Sequence, residues 1–148
     1  MTAATTPINT DKLLSSSSLY QQFPVKGGET LQYGWIVMLD IATGNALEGA
    51  TATGCIGLGR SNGYADNANG GDGDATVDVE YGVLYYFNSA GGEEITSADL
   101  GKLCFIVDNQ TVAKTDGTST RSPAGVVYEV RVDGMVGVRF DYTAYPST

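Results

Sequence analysis

The sequence predicts an all-β fold, a small β-barrel or β-sandwich domain with an extended N-terminal arm. Charged residues make up only 17 % of the 148 residues, whereas 20 residues are glycine, and this mix is typical of a turn-rich β protein. Short apolar runs recur between turn residues, enough for about seven to nine strands. The helical signal near residues 97–100 is long enough for about one turn.

Residues 1–24 form the predicted arm. They contain four consecutive serines, and their apolar residues are spaced too widely for a strand or a helix. Such a segment cannot bury enough apolar surface to offset the entropy lost on ordering. We therefore expect it to reach off the domain and to dock on a neighbouring protein. The side chains expected to make that contact are Leu13, Leu14, Leu19, Tyr20 and Phe23.

The β-domain is expected to span residues 25–143, followed by a short C-terminal tail at residues 144–148. Short apolar runs predict its first strands at residues 31–33, 35–41 and 55–58. The third of these strands is thinned by Gly54, Gly57 and Gly59, and glycine weakens a strand.

The longest strand is predicted at residues 76–87. Its first half alternates apolar and acidic residues, with Asp78 and Glu80 on the face expected to be solvated. From Val83 onward both faces are apolar, so a second surface must cover them. That surface is either another layer of the fold or a neighbouring subunit. The candidates for a subunit interface are Trp35, Val83 and Tyr85.

Residues 96–107 predict a capped helical turn followed by a buried strand. Thr96 and Asp99 have the spacing of a capping box, and Gly101 ends the turn. Residues 103–107 are apolar on both faces, which predicts a strand covered on both sides.

The chain closes on a predicted hairpin of residues 126–132 and 136–142. A three-residue loop at residues 133–135 would place Val130 opposite Val138 and keep the apolar residues on one face. It would also place Glu129 opposite Arg139 on the solvated face.

The net charge of −9 argues against nucleic acid or an anionic membrane as a partner, because both require basic patches. The sequence has no basic-then-apolar signal peptide, and its longest apolar run is too short to span a bilayer. We therefore expect a soluble protein that is not secreted by the usual route. In a reducing cytoplasm, Cys55 and Cys104 are expected to be buried free thiols.

The sequence offers no catalytic group, so we expect no enzyme and no cofactor. It has no histidine, which removes the usual general base and the commonest metal ligand. The polar loop at residues 61–73 and the residue after it carry oxygen ligands that could hold Ca²⁺. Turn formation explains the same residues better, and calcium is the minor alternative. These residues are Asp66, Asn67, Asn69, Asp72 and Asp74.

The segments NSAGG, EITSADLGKLCFIVD and NQTVAKTDGTSTRSPAG lie consecutively between residues 88 and 125, with one residue between the first two. This stretch resembles the head decoration, or cement, proteins of tailed phages and prophages. The match is dense over residues 87–125 and looser over residues 25–86 and 126–142.

The resemblance implies a virion structural protein that is made in the host cytoplasm, binds the outer surface of the phage capsid and stabilises the shell. It also implies the major capsid protein as partner and a homotrimer as the assembly, and it brings no active site. The alternative is a head-fibre or tail-associated module that recognises a host surface or a glycan through residues 61–73.

Overall fold

The computed structural model of the chain describes residues 2–11 and 19–141, and the all-β prediction is confirmed. One 3₁₀ turn, Ser97–Asp99, accompanies eleven strands in the described residues. The strands are β1 (Leu19–Pro24), β2 (Thr30–Leu31), β3 (Ile36–Asp40), β4 (Ala46–Glu48), β5 (Cys55–Ser61), β6 (Ala65–Asp66), β7 (Thr76–Asn88), β8 (Leu103–Ile106), β9 (Thr111–Ala113), β10 (Pro123–Val130) and β11 (Val136–Phe140).

Five strands close into a barrel in the order β7–β11–β10–β8–β9. The ring closes where β9 pairs in parallel with the end of β7, with Thr111 opposite Phe87. The other four pairings are antiparallel. Closure removes the free sheet edges that this set of short strands would otherwise expose.

The strand β7 belongs to two sheets. Its first half pairs with β1 and β5, and its second half pairs with β11 and β9. The buried positions change from odd to even between the halves, from Val77 and Val79 to Leu84 and Tyr86. Gly82, with φ of +130°, lies at the change. The glycine therefore allows one strand to serve both sheets with opposite faces.

Two hydrophobic cores lie on opposite sides of β3. Ile36 and Met38 join the core inside the barrel, whereas Val37 joins a second core beneath β1, β5 and the first half of β7. In the barrel core, Tyr86 and Phe140 meet edge to face, with ring centroids 6.0 Å apart. The apolar run around β3 therefore reflects a strand covered on both faces.

The strand β5 crosses β10 at a distance that only glycine permits. A Cβ atom on Gly57 would lie 2.3 Å from the main-chain oxygen of Ala124. The glycine that interrupts this strand in the sequence therefore allows close contact between two backbones.

The part of the predicted arm that forms β1 is integrated into the domain. Residues 19–24 pair with β7, from Leu19 opposite Tyr81 to Pro24 opposite Thr76. Phe23 is only 9 % exposed and belongs to the second core. The expectation that this part of the arm reaches off the domain is wrong. A strand of six residues can be ordered by pairing with β7, which composition alone does not reveal.

In two other predicted strands, the burial of one face differs from the prediction. Glu80 was expected on the solvated face of β7, but it is fully buried because β5 carries Arg60 opposite to it. In β8, only one face is fully covered. Cys104 and Ile106 are buried, whereas Leu103 is 36 % exposed, since no further layer covers the outside of the barrel there.

The hairpin of β10 and β11 has a different register from the predicted one. Val130 lies opposite Val136, not Val138, and a bulge at Tyr128 then shifts the pairing so that Arg139 faces Val126. The Arg131 main-chain N–H donates to Met135 O at 2.9 Å, which makes 132–134 the loop. The predicted register did not include this bulge. The bulge places the Tyr128 side chain on the outer face of the hairpin, where it is 51 % exposed.

Local turn chemistry and the cysteines are as predicted. Thr96 and Asp99 form a capping box on the 3₁₀ turn, and Gly101 adopts a positive φ of 81° just after it. Cys55 and Cys104 are buried free thiols. Burial raises the pKa of the Cys104 thiol to about 12, so this thiol stays protonated and unreactive at neutral pH.

Candidate functional site

Residues 2–11, here called the N-terminal segment, lie against the domain with a bend at residues 5–6, and they contact it through residues 2, 4, 6, 8 and 10 and through Asp11. The contacts of the first half are to side chains of the domain. Thr2 O accepts from Gln110 Nε2 at 2.6 Å, and Thr6 O accepts from Trp35 Nε1 at 3.0 Å. Between them, the amide of Asn109 brackets Ala4, accepting from Ala4 N at 2.7 Å and donating to Ala4 O at 2.9 Å.

The second half of the segment meets the loop before β3. Ile8 N donates to Tyr33 O at 3.0 Å, and the Thr10 hydroxyl donates to Gly34 O at 2.7 Å. Gly34 is required by this approach, because its φ is +90° and a Cβ atom there would lie 2.1 Å from Ile8 O. The surface that receives the segment is here called the groove. It consists of Tyr33, Gly34, Trp35, Arg60, Tyr85, Asn109 and Gln110.

A buried ion pair lies beneath the end of the groove. The guanidinium of Arg60 contacts the carboxylate of Glu80, and the two side chains are 4 % and 1 % exposed. Arg60 Nη1 also donates to Thr10 O at 2.7 Å, and its guanidinium carbon lies 5.1 Å from the centre of the Tyr33 ring. Arg60 therefore connects the barrel junction directly to the N-terminal segment.

The segment ends beside a charged cluster on β7 and the last hairpin. Tyr85 N donates to Asp11 O at 2.9 Å, and the Asp11 carboxylate pairs with Arg131 at 2.8 Å. Arg131 lies 4.7 Å above the Tyr85 ring, and the Tyr85 hydroxyl donates to Glu129 at 2.6 Å. Burial and the hydrogen bond to Glu129 raise the pKa of Tyr85 to about 12, so the phenol is neutral in the physiological range.

A cleft of about 310 Å³ lies between the N-terminal segment and the barrel. Its walls are residues 8–10, 85–87, Gln110 and Met135. Tyr86 at its base donates its hydroxyl to Gly34 O at 2.8 Å, and burial raises the pKa of this phenol. The walls supply apolar surface and amide groups, which suit a peptide side chain rather than a chemical reaction.

Three of the five predicted contact residues lie on β1, where Tyr20 and Phe23 differ in exposure, and the other two lie outside the described residues. Leu13 and Leu14 lie outside the described residues, and Leu19 is in β1, paired with β7. Tyr20 is 53 % exposed and is available to a partner, whereas Phe23 lies in the second core. In this conformation Phe23 is therefore not available to contact another protein.

The predicted subunit-interface residues are largely covered by the chain itself. Trp35 is 6 % exposed beneath the N-terminal segment, and Tyr85 is 5 % exposed beneath Arg131. Val83 is half-buried on the outer face of β7, opposite Arg139. The second surface expected over β7 is therefore supplied mainly by this fold, with Phe87 39 % exposed at its end.

The polar loop at residues 61–73 is hydrogen-bonded to its own main chain and to the main chain of residues 25–27. Asn67 is buried and donates to the main-chain oxygens of Val25, Lys26 and Gly71. The Asp72 carboxylate accepts from Gly27 N, and Asp74 accepts from Gly71 N. Across residues 2–11 and 19–141, no group of three or more His, Cys, Asp or Glu residues could hold a metal ion. The loop oxygens therefore build turns.

Sequence reasoning missed the groove and the ion pair. Arg60, Asn109 and Gln110 occur singly among turn and strand residues, and nothing in their spacing marks them as a site. The segment contacts the groove at positions 2, 4, 6, 8 and 10, but the sequence does not alternate there. Threonine and alanine occupy odd and even positions alike, and Ile8 is the single large apolar residue among the five.

Comparison of the chain with protein-family models, curated proteins and solved structures finds no match. In the part of the chain that the structure describes, no helix has the length and apolar content needed to cross a membrane.

Proposed function

We propose that this chain is a virion structural protein that binds the outer surface of a phage capsid and stabilises the shell. The observation that carries the proposal is the resemblance of residues 87–125 to head decoration proteins. The physical character of this stretch supports a structural role rather than a catalytic one.

The resembling stretch uses its polar residues to build the fold. The Asn88 side chain accepts from Ile95 N and donates to Ile95 O, both at 2.8 Å, which closes the turn between them. Glu93 pairs with Arg121 at 2.9 Å and fastens that turn to the segment before β10. These side-chain contacts hold the turns of the stretch in place, which suits a structural protein.

The mechanism is mass action. A protein that binds the assembled lattice, and not its dissociated subunits, stabilises the lattice by the free energy of that binding. Copies that contact several capsid subunits gain further stabilisation from avidity. A homotrimer, which matches a three-fold position of a shell, is the assembly that we propose on the head.

The test is co-sedimentation of the purified chain with heads assembled without it, compared with dissociated capsid protein. We expect saturable binding to heads and little binding to free subunits. Tyr20→Ala should weaken head binding, because Tyr20 is an exposed side chain of the predicted contact segment. Tyr64→Ala is the matched control. Tyr64 is also an exposed tyrosine, 63 % exposed against 53 % for Tyr20, but it lies on the 61–73 loop, the candidate surface of the alternative function. Equal binding to heads and subunits would contradict the proposal.

The second candidate function is recognition of a host surface or a glycan by a head-fibre or tail-associated module. The observation that favours it is Tyr64, an exposed aromatic side chain on the 61–73 loop. Aromatic rings are common contacts for sugars and proteins. If this function is correct, the chain binds host cells, Tyr64→Ala reduces that binding, and Tyr20→Ala does not.

A further inference from the structure

The groove holds the N-terminal segment as a binding site holds a peptide. Most hydrogen bonds described above pair a main-chain group of the segment with a side chain of the domain, from Asn109, Gln110, Trp35 and Arg60. In a sheet, by contrast, main chain pairs with main chain. A site that binds the main-chain groups of a second chain is the arrangement by which many folded proteins accept extended peptides.

The segment is also separable from the rest of the domain. Seven of its ten residues are exposed. The two hydrophobic cores are built from residues 23–140, and from the segment only Ile8 packs against them as a partly buried side chain. Removing the segment would therefore expose little of the core, and the barrel would keep its own packing.

We infer that the N-terminal segment exchanges between copies of the chain, with residues 2–11 of one copy occupying the groove of another. The argument for this occupant is complementarity, because residues 2–11 already fit the groove at every second position. Each contact in the exchanged form is identical to one in the unexchanged form, so the balance depends on the local concentration of copies.

The chain length allows such an exchange. Seven residues, 12–18, connect the segment to β1. Seven residues can span at most about 25 Å, so the accepting groove must lie within that distance on the neighbouring copy. An exchange in one rotational direction closes into a ring or continues along a lattice.

Trp35 is a built-in reporter for the occupied groove. It is the single tryptophan of the chain, and its indole N–H donates to Thr6 O at 3.0 Å. Loss of the segment would expose this indole to water and shift its fluorescence emission to longer wavelength.

The experiment uses the full chain carrying Ile8→Asp, which places a carboxylate at the partly buried position of the segment. We expect this variant to fold and to show the red-shifted Trp35 emission of an open groove. A synthetic peptide with the sequence of residues 2–11 should reverse the shift in a saturable way. The same peptide with Ala4→Pro should bind about tenfold more weakly, because it lacks the N–H that Asn109 accepts.

Exchange between copies is then measured by sedimentation of mixtures, with no phage heads present. Ile8→Asp chains mixed with wild-type chains should form a one-to-one complex that Ile8→Asp chains alone do not form. A Gly34→Ala chain should donate its N-terminal segment to the Ile8→Asp chain more readily than a wild-type chain does, since the added Cβ would displace the segment from its own groove. Because heads are absent, failure here leaves the capsid-binding proposal untouched.

Two results would overturn the inference. One is a folded open-groove variant whose Trp35 emission does not respond to the peptide. The other is peptide binding in the absence of any complex between full-length chains. Circular dichroism and a cooperative melt establish folding first. If Ile8→Asp does not fold, the full-length Ala4→Pro variant replaces it. If Gly34→Ala does not fold, the mixture of Ile8→Asp chains with wild-type chains decides the question.

Discussion

The buried ion pair between Arg60 and Glu80 makes the sharpest stability prediction. The two residues are directly opposite each other on β5 and β7, and both side chains are almost completely excluded from water. Removing one partner of a buried pair leaves a charge in a medium that solvates it poorly, which costs about 3–5 kcal/mol. A single-domain protein has a total stability of about 5–15 kcal/mol, so this loss is a large fraction.

The perturbation is a double-mutant cycle of Glu80→Leu and Arg60→Met. Each single variant should lose about 3–5 kcal/mol of unfolding free energy. The double variant buries no charge and fills the space with apolar groups of similar size. It forfeits the bond from Arg60 to Thr10 O, a hydrogen bond of a charged group worth about 1.5–3 kcal/mol. The double variant should therefore be more stable than either single variant.

The assay is urea denaturation followed by both circular dichroism and Trp35 fluorescence. The reasoning is refuted if each single variant loses less than about 1 kcal/mol, the value of a solvated surface pair. It is refuted equally if the double variant loses the sum of the two single losses, because the side chains would then act independently.

Three further changes test other parts of the fold. Gly57→Ala should cost about 1–3 kcal/mol or more in denaturant titration, because its Cβ would meet Ala124 O, whereas Gly63→Ala, with no atom nearby, should change stability by less than about 0.5 kcal/mol. The pKa of the Glu48 carboxyl is raised above its ordinary 4.5 by burial and, to a smaller extent, by Glu29. The carboxyl therefore favours the folded state below pH 4.5, and this advantage is lost as the pH rises through the raised pKa. Glu48→Gln should therefore raise the melting temperature near neutral pH and leave it unchanged well below 4.5; an equal effect at both pH values would contradict this. Arg121 lowers the pKa of Glu93, so Glu93→Gln should lower the melting temperature near neutral pH, and the difference should vanish as pH falls through that lowered pKa; a difference that persists in acid would refute the pairing.

The features predicted correctly from sequence are those determined by neighbouring residues. The strand β7 was found almost to its ends because twelve consecutive residues favour an extended chain. The capping box was found because its two partners, Thr96 and Asp99, are three residues apart. The capping box is a contact between near neighbours, and the extended conformation of β7 is a local preference of its residues, although the strands that β7 pairs with are distant in sequence.

The predictions that failed involve contacts between distant residues. The hairpin register depended first on the loop, which lies at 132–134 instead of 133–135, and then on a bulge at Tyr128 that shifts the pairing by one more residue. Glu80 reads as a solvated residue until Arg60, twenty positions away, is known to lie opposite it. Polar and apolar residues that alternate along a strand normally indicate which face is buried. The pattern fails where a polar residue is buried together with a partner that neutralises its charge.

The N-terminal segment was misjudged for a related reason. Its composition is that of a segment expected to be disordered when it is alone. The domain, however, supplies hydrogen-bond partners for the main chain of the segment, and main-chain groups are the same for every sequence. Amino-acid composition therefore cannot reveal a segment that is held through its backbone.

The position of Arg60 makes binding of the segment and stability of the barrel interdependent. Its guanidinium contacts Glu80 at the strand junction and Thr10 O in the segment, and its Nε has no hydrogen-bond partner among the described residues. When the segment leaves, Arg60 loses the acceptor Thr10 O, so opening the groove costs this hydrogen bond in addition to any packing that is lost. Any strand that replaces the segment must return a main-chain carbonyl to the position of Thr10 O. Because every peptide carries such a carbonyl, this requirement fixes the position and direction of the bound chain rather than its sequence.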